Sequence, residues 1–255
     1  MFAKLRKLFR IIQTRFRYPG VIYYGTPSFL KFLGISGRAL PKGYQSQYGQ
    51  DELVFTEFSK FLASGDFPKT FIDIGCNHPL THNNSHFFQV NQGYRVVAVD
   101  ALREAGELWR EHRADADFVE CAVGAGNGEV SFEVVEGSDF ASMFSAVSGA
   151  SHHQVAGACV TRTVKVRRIS EILGERDIRC AGIVSLDVEG YELQALQGMD
   201  FDNFFAYVFI IENNSNLGTG SNLLRDLMIS KGYRYFARIW SVDDIFIHPG
   251  LLALQ

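Results

Sequence analysis

The segment 185–193, SLDVEGYEL, carries three carboxylates within six residues, on Asp187, Glu189 and Glu192. Neighbouring carboxylates raise one another's pKa, which suits them to accept a proton near neutral pH. The same oxygens could instead share a divalent cation. Acidic side chains also stabilise the first turn of a helix without any further role. The segment therefore indicates either a site or a helix start, and the elements around it must decide between the two.

The surrounding sequence alternates short apolar segments with segments of helical periodicity. The predicted strands are 70–74, 94–99, 117–123, 129–135, 162–167, 182–186, 205–211, 233–239 and 244–247. The predicted helices are 52–62, 85–92, 105–113, 169–173, 191–197 and 223–231. Strands separated by helices indicate a three-layer α/β fold with a mostly parallel, twisted sheet. The last two strands follow each other closely, so an antiparallel pair is expected at the C-terminal edge of the sheet.

Acidic or amide side chains follow five of these strands. In an open α/β sheet, ligands bind at the carboxyl ends of the strands. The residues at those ends are 73–79, Asp100, Glu120 with Cys121 and Ala122, Asp187 with Glu189, and Glu212 with Asn213 and Asn214. We therefore predict that these side chains meet in one site.

A nucleoside-containing cofactor fits the first two strand ends. The carboxylate of Asp100 suits a pair of ribose hydroxyls, and Gly75 opens a turn about 25 residues earlier, a spacing found in both dinucleotide and S-adenosylmethionine folds. The glycine pattern GxGxxG is absent after the first strand, and Pro79 removes a backbone N–H that a pyrophosphate would use. Carboxylates and amides suit a cationic sulfonium, so these features favour S-adenosylmethionine over a dinucleotide.

Six motifs occur together in the chain: SQYGQDELV (46–54), FIDIGCNHP (71–79), HNNSHFF (82–88), AVDA (98–101), SLDVEGYELQAL (185–196) and IIENN (210–214). In order and spacing they resemble the FkbM family of S-adenosylmethionine-dependent methyltransferases, over roughly residues 46–248. The resemblance implies a class I methyltransferase fold, which is Rossmann-like. It also implies O-methylation of a hydroxyl on a sugar, a glycan or a related natural product.

The resemblance further implies roles for single residues. The methionine part of S-adenosylmethionine would lie in the loop of Asp73, Gly75, Cys76 and Asn77, the ribose at Asp100 and Ala101, and the adenine at Glu120, Cys121 and Ala122. Asp187 would lie beside the methyl-transfer centre. Two departures stand out. The chain has Cys76-Asn77-His78-Pro79 where the family commonly has Ala-Asn-x-Gly, and Asn83-Asn84-Ser85 where it commonly has Ser-Asn-Thr.

Methyl transfer to a hydroxyl needs a base within hydrogen-bond reach of the attacking oxygen. The candidates are Asp187, Glu189, Glu212 and His78, with His82 and His86 as further histidines near the cofactor turn. We predict a site without a metal, although three carboxylates at adjacent strand ends could also bind a divalent cation. The alternative function is a non-catalytic binding or assembly protein on the same fold.

Composition limits the classes of partner. The 255 residues carry a net charge of −3, which gives no global positive field to hold nucleic acid. The four cysteines form no CxxC pair, which is typical of reduced thiols in the cytoplasm. No apolar run approaches the ~20 residues of a membrane span, and no apolar core of a secretory signal is found at the N-terminus. We therefore expect a cytoplasmic protein that acts on a small molecule or a glycan.

The first 18 residues form a basic, amphipathic pattern. Phe2, Leu5, Phe9, Ile12 and Phe16 recur at spacings of three and four, with basic residues between them, which predicts a helix. Its apolar face would contact an anionic membrane surface on the cytoplasmic side, or pack on the protein itself or on a homodimer mate. We divide the chain into an arm with its linker (1–45) and a methyltransferase domain (46–255). The Ser-, Ala- and Gly-rich segment 137–157 is predicted to be a lid or loop.

Overall fold

The computed structural model describes residues 17–18, 20–24, 43–135, 145–147, 159–214, 221–239 and 242–253. Most of the predicted N-terminal helix and its linker lies outside the described residues. The predicted lid 137–157 also lies outside them, apart from one short strand. Within the described part, no helix is long and apolar enough to cross a membrane.

Strands in this part of the chain form two sheets. They are β1 (Ile22–Tyr24), β2 (Thr70–Ile74), β3 (Arg95–Asp100), β4 (Asp117–Glu120), β5 (Ala122–Val123), β6 (Gly128–Val135), β7 (Ser145–Val147), β8 (Cys159–Arg167), β9 (Cys180–Leu186), β10 (Phe205–Glu212), β11 (Arg234–Ile239) and β12 (Asp243–Ile247). The larger sheet has the order β1-β11-β12-β10-β9-β2-β3-β4. Its neighbouring strands are parallel except where β12 pairs with β10 and with β11. The smaller sheet has the order β5-β8-β6-β7, with only β5 and β8 parallel.

Helices cover both faces of the larger sheet. They are α1 (Gln50–Leu62), α2 (His86–Gln92), α3 (Arg103–His112), α4 (Ile169–Gly174), α5 (Glu192–Gln197), α6 (Asn222–Ser230) and α7 (Pro249–Ala253). Successive side chains of a strand point to opposite faces. Accordingly, Val97 and Val99 of β3 pack in one hydrophobic cluster with α4, α5 and α6. Val96 and Ala98 pack in the other, with α1, α2, α3 and α7.

The predicted α/β fold with a mainly parallel central sheet is confirmed, and the arrangement is consistent with a Rossmann-like fold. Two details of the prediction were wrong. The antiparallel pair β11–β12 is not the edge of the sheet, because β12 lies between β10 and β11 and β1 pairs beyond β11. The predicted strand 117–123 ends at Glu120, and Ala122–Val123 belong to the smaller sheet instead. Cys121 donates its N–H to the carbonyl of Asp100 at this crossing point.

The segment just after the predicted N-terminal helix is bound to the domain. Tyr18 is buried, donates its hydroxyl to Asp226 of α6 at 2.9 Å, and packs edge-on against Tyr235. Arg17 reaches the same carboxylate at 2.6 Å. Strand β1 then runs parallel to β11. Part of the region predicted as arm and linker is therefore built into the central sheet.

Candidate active site

A cavity of about 260 Å³ lies at the carboxyl ends of β2, β3 and β9. It brings together ten of the predicted site residues: Asp73, Gly75, Cys76, Asn77, Asp100, Ala101, Cys121, Ala122, Asp187 and Glu189. Phe132 of the smaller sheet also lines the cavity, and no sequence signal had marked that residue as part of a site. The edge at which parallel strands end is therefore a shared pocket, as the sequence predicted from the strand ends.

The turn after β2 needs glycine at its first position. Gly75 has φ +75°, and its N–H donates to the carbonyl of Val99 on β3 at 2.8 Å. A Cβ there would lie 1.6 Å from the backbone oxygen of Asp187. A side chain at this position would therefore overlap the backbone at the end of β9, which forms the opposite wall of the cavity.

The carboxylate of Asp100 faces the cavity from the end of β3. One oxygen accepts the N–H of Asn77 and the other that of Leu102, each at 2.9 Å. Burial raises the pKa of Asp100 to about 6. The two backbone bonds fix the orientation of the carboxylate, and each oxygen keeps a second lone pair for a ligand hydroxyl.

Asn83 links the cofactor turn to the start of α2. Its amide nitrogen donates to Asp73 at 3.2 Å and to the carbonyl of Cys76 at 3.1 Å. Its amide oxygen accepts the backbone N–H and the hydroxyl of Ser85. Burial raises the pKa of Asp73, while bonds from Ser85 and the charge of Arg113 act against that rise. Asn83 therefore connects the turn after β2 to the start of α2 through both ends of its amide.

Two buried acceptors of the cavity lining have no hydrogen-bond partner among the described residues. They are Oδ1 of Asn84 and Oδ1 of Asp187. The other end of the Asn84 amide donates to Ser185 at 2.9 Å, which fixes the orientation in which its oxygen remains available. Unpartnered buried acceptors are costly unless a ligand supplies donors. The cavity therefore fits a ligand with hydroxyl and ammonium groups, as S-adenosylmethionine has.

Three carboxylates meet beside this cavity. Oxygens of Asp187, Glu189 and Glu212 all lie within 4.8 Å of one another, so the three side chains could bind one proton or one divalent cation together. Burial first, and then the charge of Glu192, raises the pKa of Asp187 to about 7. Burial and the charge of Asp187 raise the pKa of Glu189, and those two effects also raise that of Glu212.

The turn that carries Glu189 is held by Glu192. Glu189 has φ +56° and Gly190 φ +99°, so the chain bends sharply after β9. The carboxylate of Glu192 accepts the N–H groups of Val188 and Gly190, each at 3.0 Å. The three acids of the opening segment thus separate into two that face the carboxylate cluster and one, Glu192, that supports the backbone beneath them.

Three predicted site residues do not line the cavity. Glu120 is exposed at the end of β4, because strand alternation turns its neighbour Val119 inward. Nδ1 of His78 accepts hydrogen bonds from the N–H groups of Leu80 and Thr81, each at 3.2 Å. This nitrogen therefore stabilises a turn and is not available as a base for a methyl acceptor. Glu212 reaches the carboxylate cluster from β10, although it lies outside the lining of the cavity.

The two further histidines also differ from each other. His82 lines the mouth of the cavity in an exposed position with φ +54°. His86 lies in the first turn of α2, where its Nδ1 is buried without a partner in the described part of the chain. Burial lowers the pKa of His86, and the charge of Arg113 lowers it further. His86 does not line the cavity, and the charge of Asp51 acts against the lowering of its pKa.

Gln50 was a candidate to close over the cofactor, but its pairing with buried Asp243 beside the carboxylates was not predicted from the sequence. Asp243 accepts a bond from the amide of Gln50 at 2.8 Å, and the oxygen of the same amide accepts the N–H of Tyr48 at 2.8 Å. Burial and the charge of Asp187 raise the pKa of Asp243. The negative charges of Asp243 and Glu212 in turn raise the pKa of the Tyr48 hydroxyl, after burial as the largest cause. The apolar strand pattern around Asp243 was visible, but its partner lies 193 residues away in the sequence.

A search of curated proteins returned no match to this chain. A family model described as the methyltransferase FkbM domain matches residues 73–235, from the second residue before Gly75 to the second residue of β11. The match spans more than half of the chain and includes the carboxylate cluster and all of the described residues that line the cavity except Gln47. The chain therefore belongs to the FkbM methyltransferase domain family.

Proposed function

We propose that this protein is an S-adenosylmethionine-dependent O-methyltransferase with the class I methyltransferase fold, acting on a hydroxyl of a sugar, a glycan or a related natural product. The strongest supporting observation is that the cavity and the carboxylate cluster have one residue in common. Asp187 lines the cofactor cavity and also belongs to the carboxylate cluster. A group that takes a proton from an acceptor hydroxyl must lie at such a boundary.

Different residues of the cavity bind different parts of S-adenosylmethionine. The Asp100 carboxylate accepts hydrogen bonds from the ribose hydroxyls, and the unpartnered amide oxygen of Asn84 suits the ammonium group of the methionine part. When bound, S-adenosylmethionine supplies an electrophilic methyl group on a sulfonium. Glycine at position 75 allows the turn after β2 to pack directly against the backbone carbonyl of Asp187 at the end of β9.

Asp187 is the group that we assign as the base. Its raised pKa keeps it close to the point of half-ionisation at neutral pH, where a carboxylate is a better proton acceptor than an exposed aspartate. In its ionised form it takes the proton of the acceptor hydroxyl as the oxygen attacks. Burial and the charge of Glu192 keep the pKa of Asp187 raised, although its hydrogen bond with Glu212 acts in the opposite direction. Glu212 and Glu189 offer further oxygens to which that proton can move.

Calorimetry with S-adenosylhomocysteine tests the cofactor assignment. We expect saturable binding by the wild-type protein and at least about tenfold weaker binding by Asp100→Ala, since one good bidentate carboxylate contact is removed. Asp202→Asn, a change in an exposed carboxylate far from the cavity, is the matched control and should bind normally. A folded wild-type protein that binds no S-adenosylhomocysteine would contradict the proposal.

The acceptor class needs a second measurement. Extracts incubated with the protein and methyl-labelled S-adenosylmethionine should yield a labelled methyl ether, which survives mild base. A label that mild base removes would indicate a methyl ester and so a carboxylate acceptor. Label that remains with the protein fraction would point away from a sugar or natural product.

A further inference from the structure

Arg113 is a buried cation that follows helix α3. It is only 5% exposed, and no carboxylate lies within ion-pair distance of its guanidinium in the described part of the chain. Its plane lies 4.2 Å above the ring of Trp109, which is itself 1% exposed. A charge in such a place is costly unless its N–H groups are all hydrogen-bonded. The hydrogen-bond partners of Arg113 therefore indicate the role of this buried charge.

Three of its four hydrogen-bond partners lie in the segment that leads from the turn after β2 into α2. The guanidinium donates to the carbonyl of Pro79 at 3.1 Å, to the amide oxygen of Asn83 at 2.8 Å and to the hydroxyl of Ser85 at 3.0 Å. A fourth bond, to Gln89, reaches the body of α2. Asn83 passes this restraint on to the cavity, because it donates to Asp73 and to the carbonyl of Cys76.

Trp109 restrains the other end of the same segment. Its indole N–H donates to the carbonyl of Asn77 at 2.8 Å, while the N–H of Asn77 donates to Asp100. The backbone of Asn77 is thus held from both sides, in a left-handed conformation with φ +41°. A non-glycine residue persists in that conformation only when its surroundings hold it there.

We propose that Arg113 and Trp109 are positioning residues for the cofactor: they hold the segment 77–85 in the conformation in which Asp100, Asn77 and Asn84 can bind it. This inference rests on the proposed function. Neither side chain lines the cavity, so neither contacts the ligand. No helix or regular strand is present between Ile74 and His86, so the path of this wall depends on side-chain bonds, among which those from Trp109 and Arg113 reach both of its ends.

The chemistry of arginine matches this task closely. The planar fork of a guanidinium reaches three acceptors at fixed angles while its face stacks on an aromatic ring. A lysine at position 113 could keep the charge and one or two of the bonds but not the geometry. If Arg113 only stabilised the fold, a change in its hydrogen-bond geometry would not alter the affinity for a ligand that it does not contact.

Three variants and one control test the inference by calorimetry with S-adenosylhomocysteine. Trp109→Phe keeps the ring beneath Arg113 and removes only the N–H that binds Asn77; we expect about tenfold weaker binding. Arg113→Met should weaken binding about 10- to 100-fold, and Arg113→Lys should restore part of that loss. Arg176→Met is the control, because it likewise removes a guanidinium with several hydrogen bonds, here to Asp117 at 2.7 and 2.9 Å, and Arg176 does not line the cavity.

The outcomes separate the inference from the proposed function. Absence of binding in the wild-type protein overturns the proposed function and this inference with it. Wild-type binding that persists unchanged in folded Trp109→Phe and Arg113→Lys overturns the inference alone. Equal weakening in Arg176→Met also overturns it, since the loss would then reflect general destabilisation. If Arg113→Met fails to fold, Trp109→Phe and Arg113→Lys decide the question.

Discussion

The α-carbon of Gly75 lies directly against the backbone carbonyl of Asp187, so that a Cβ at position 75 would come within 1.6 Å of that oxygen. The two residues directly follow the neighbouring parallel strands β2 and β9, in which Ile74 and Leu186 are paired. This contact joins the cofactor turn to the turn that presents the proposed base. One substitution can therefore disturb both halves of the site together.

Gly75→Ala should destabilise the protein and abolish cofactor binding. The new methyl group would have to displace the end of β9, and alanine at φ +75° is strained by about 1–3 kcal/mol even without the overlap. We expect a lowered Tm and no heat of binding with S-adenosylhomocysteine. Gly93→Ala is the control, since Gly93 has φ +71° but open space around its α-carbon. Binding by Gly75→Ala at the wild-type affinity would contradict this account of the turn.

Protonation of Asp187 should control the rate of methyl transfer. Because burial and Glu192 raise its pKa to about 7, the ionised base is lost as the pH falls below 7. We expect kcat to fall about tenfold per pH unit below that point, as for any single required base. Asp187→Asn should abolish the reaction at every pH.

Carboxyl-labelled aspartate makes the same titration visible by NMR without an acceptor. The resonance lost in Asp187→Asn should titrate well above the usual range of aspartate side chains. Titration of that resonance near pH 4 would refute the assignment of the base. Full cellular function of Asp187→Asn would instead favour the binding or assembly protein.

The strand ends were predictable because burial on both faces leaves a clear record in sequence. Thr70–Ile74 is an uninterrupted apolar run apart from Asp73, and its bounds agree with the structure. Asp100 and Asp187 likewise follow such runs, and parallel strands necessarily bring their carboxyl ends to one edge. The position of the cavity could therefore be predicted from the sequence alone.

The rest depended on information that periodicity does not contain. The lateral place of β12 between β10 and β11 is a matter of pairing across the sheet, and β1 is only three residues long. Gln50 and Asp243 meet only because α1 lies beside the end of β12 in the folded chain. The outward direction of Glu120 is different, since the alternation of a strand beside buried Val119 could have revealed it.

Removal of divalent cations should leave methyl transfer unchanged. The oxygens of Asp187, Glu189 and Glu212 are close enough to bind a cation, but one shared proton relieves the same repulsion at neutral pH. We expect equal rates before and after treatment with EDTA, and no increase when Mg²⁺ is returned. A loss of activity that Mg²⁺ restores would assign these three carboxylates to a cation instead.

Asp244 should be among the most sensitive positions for stability. Its fully buried carboxylate accepts from Arg225 at 2.8 Å, Arg238 at 2.6 Å and Asn213 at 2.6 Å. Asp244→Asn would leave two buried guanidinium groups without their counter-charge, which should cost about 3–5 kcal/mol in the free energy of unfolding. Urea denaturation at pH 7 measures this loss.

The pH dependence of the same variant follows from the pKa of Asp244. Burial alone would raise that pKa, but Arg238 and Arg225 outweigh it and hold it below its usual value. The contribution to stability is therefore present above the unfolded-state pKa and is lost as the pH falls through the folded-state value. Asp244→Asn should lack this acid-dependent part, so its deficit relative to wild type should shrink in acid.

Asp226→Asn, which breaks an exposed pair with Arg17, should cost less than about 1 kcal/mol at either pH. An equally small loss in Asp244→Asn would mean that Arg225 and Arg238 find other partners for their guanidinium groups.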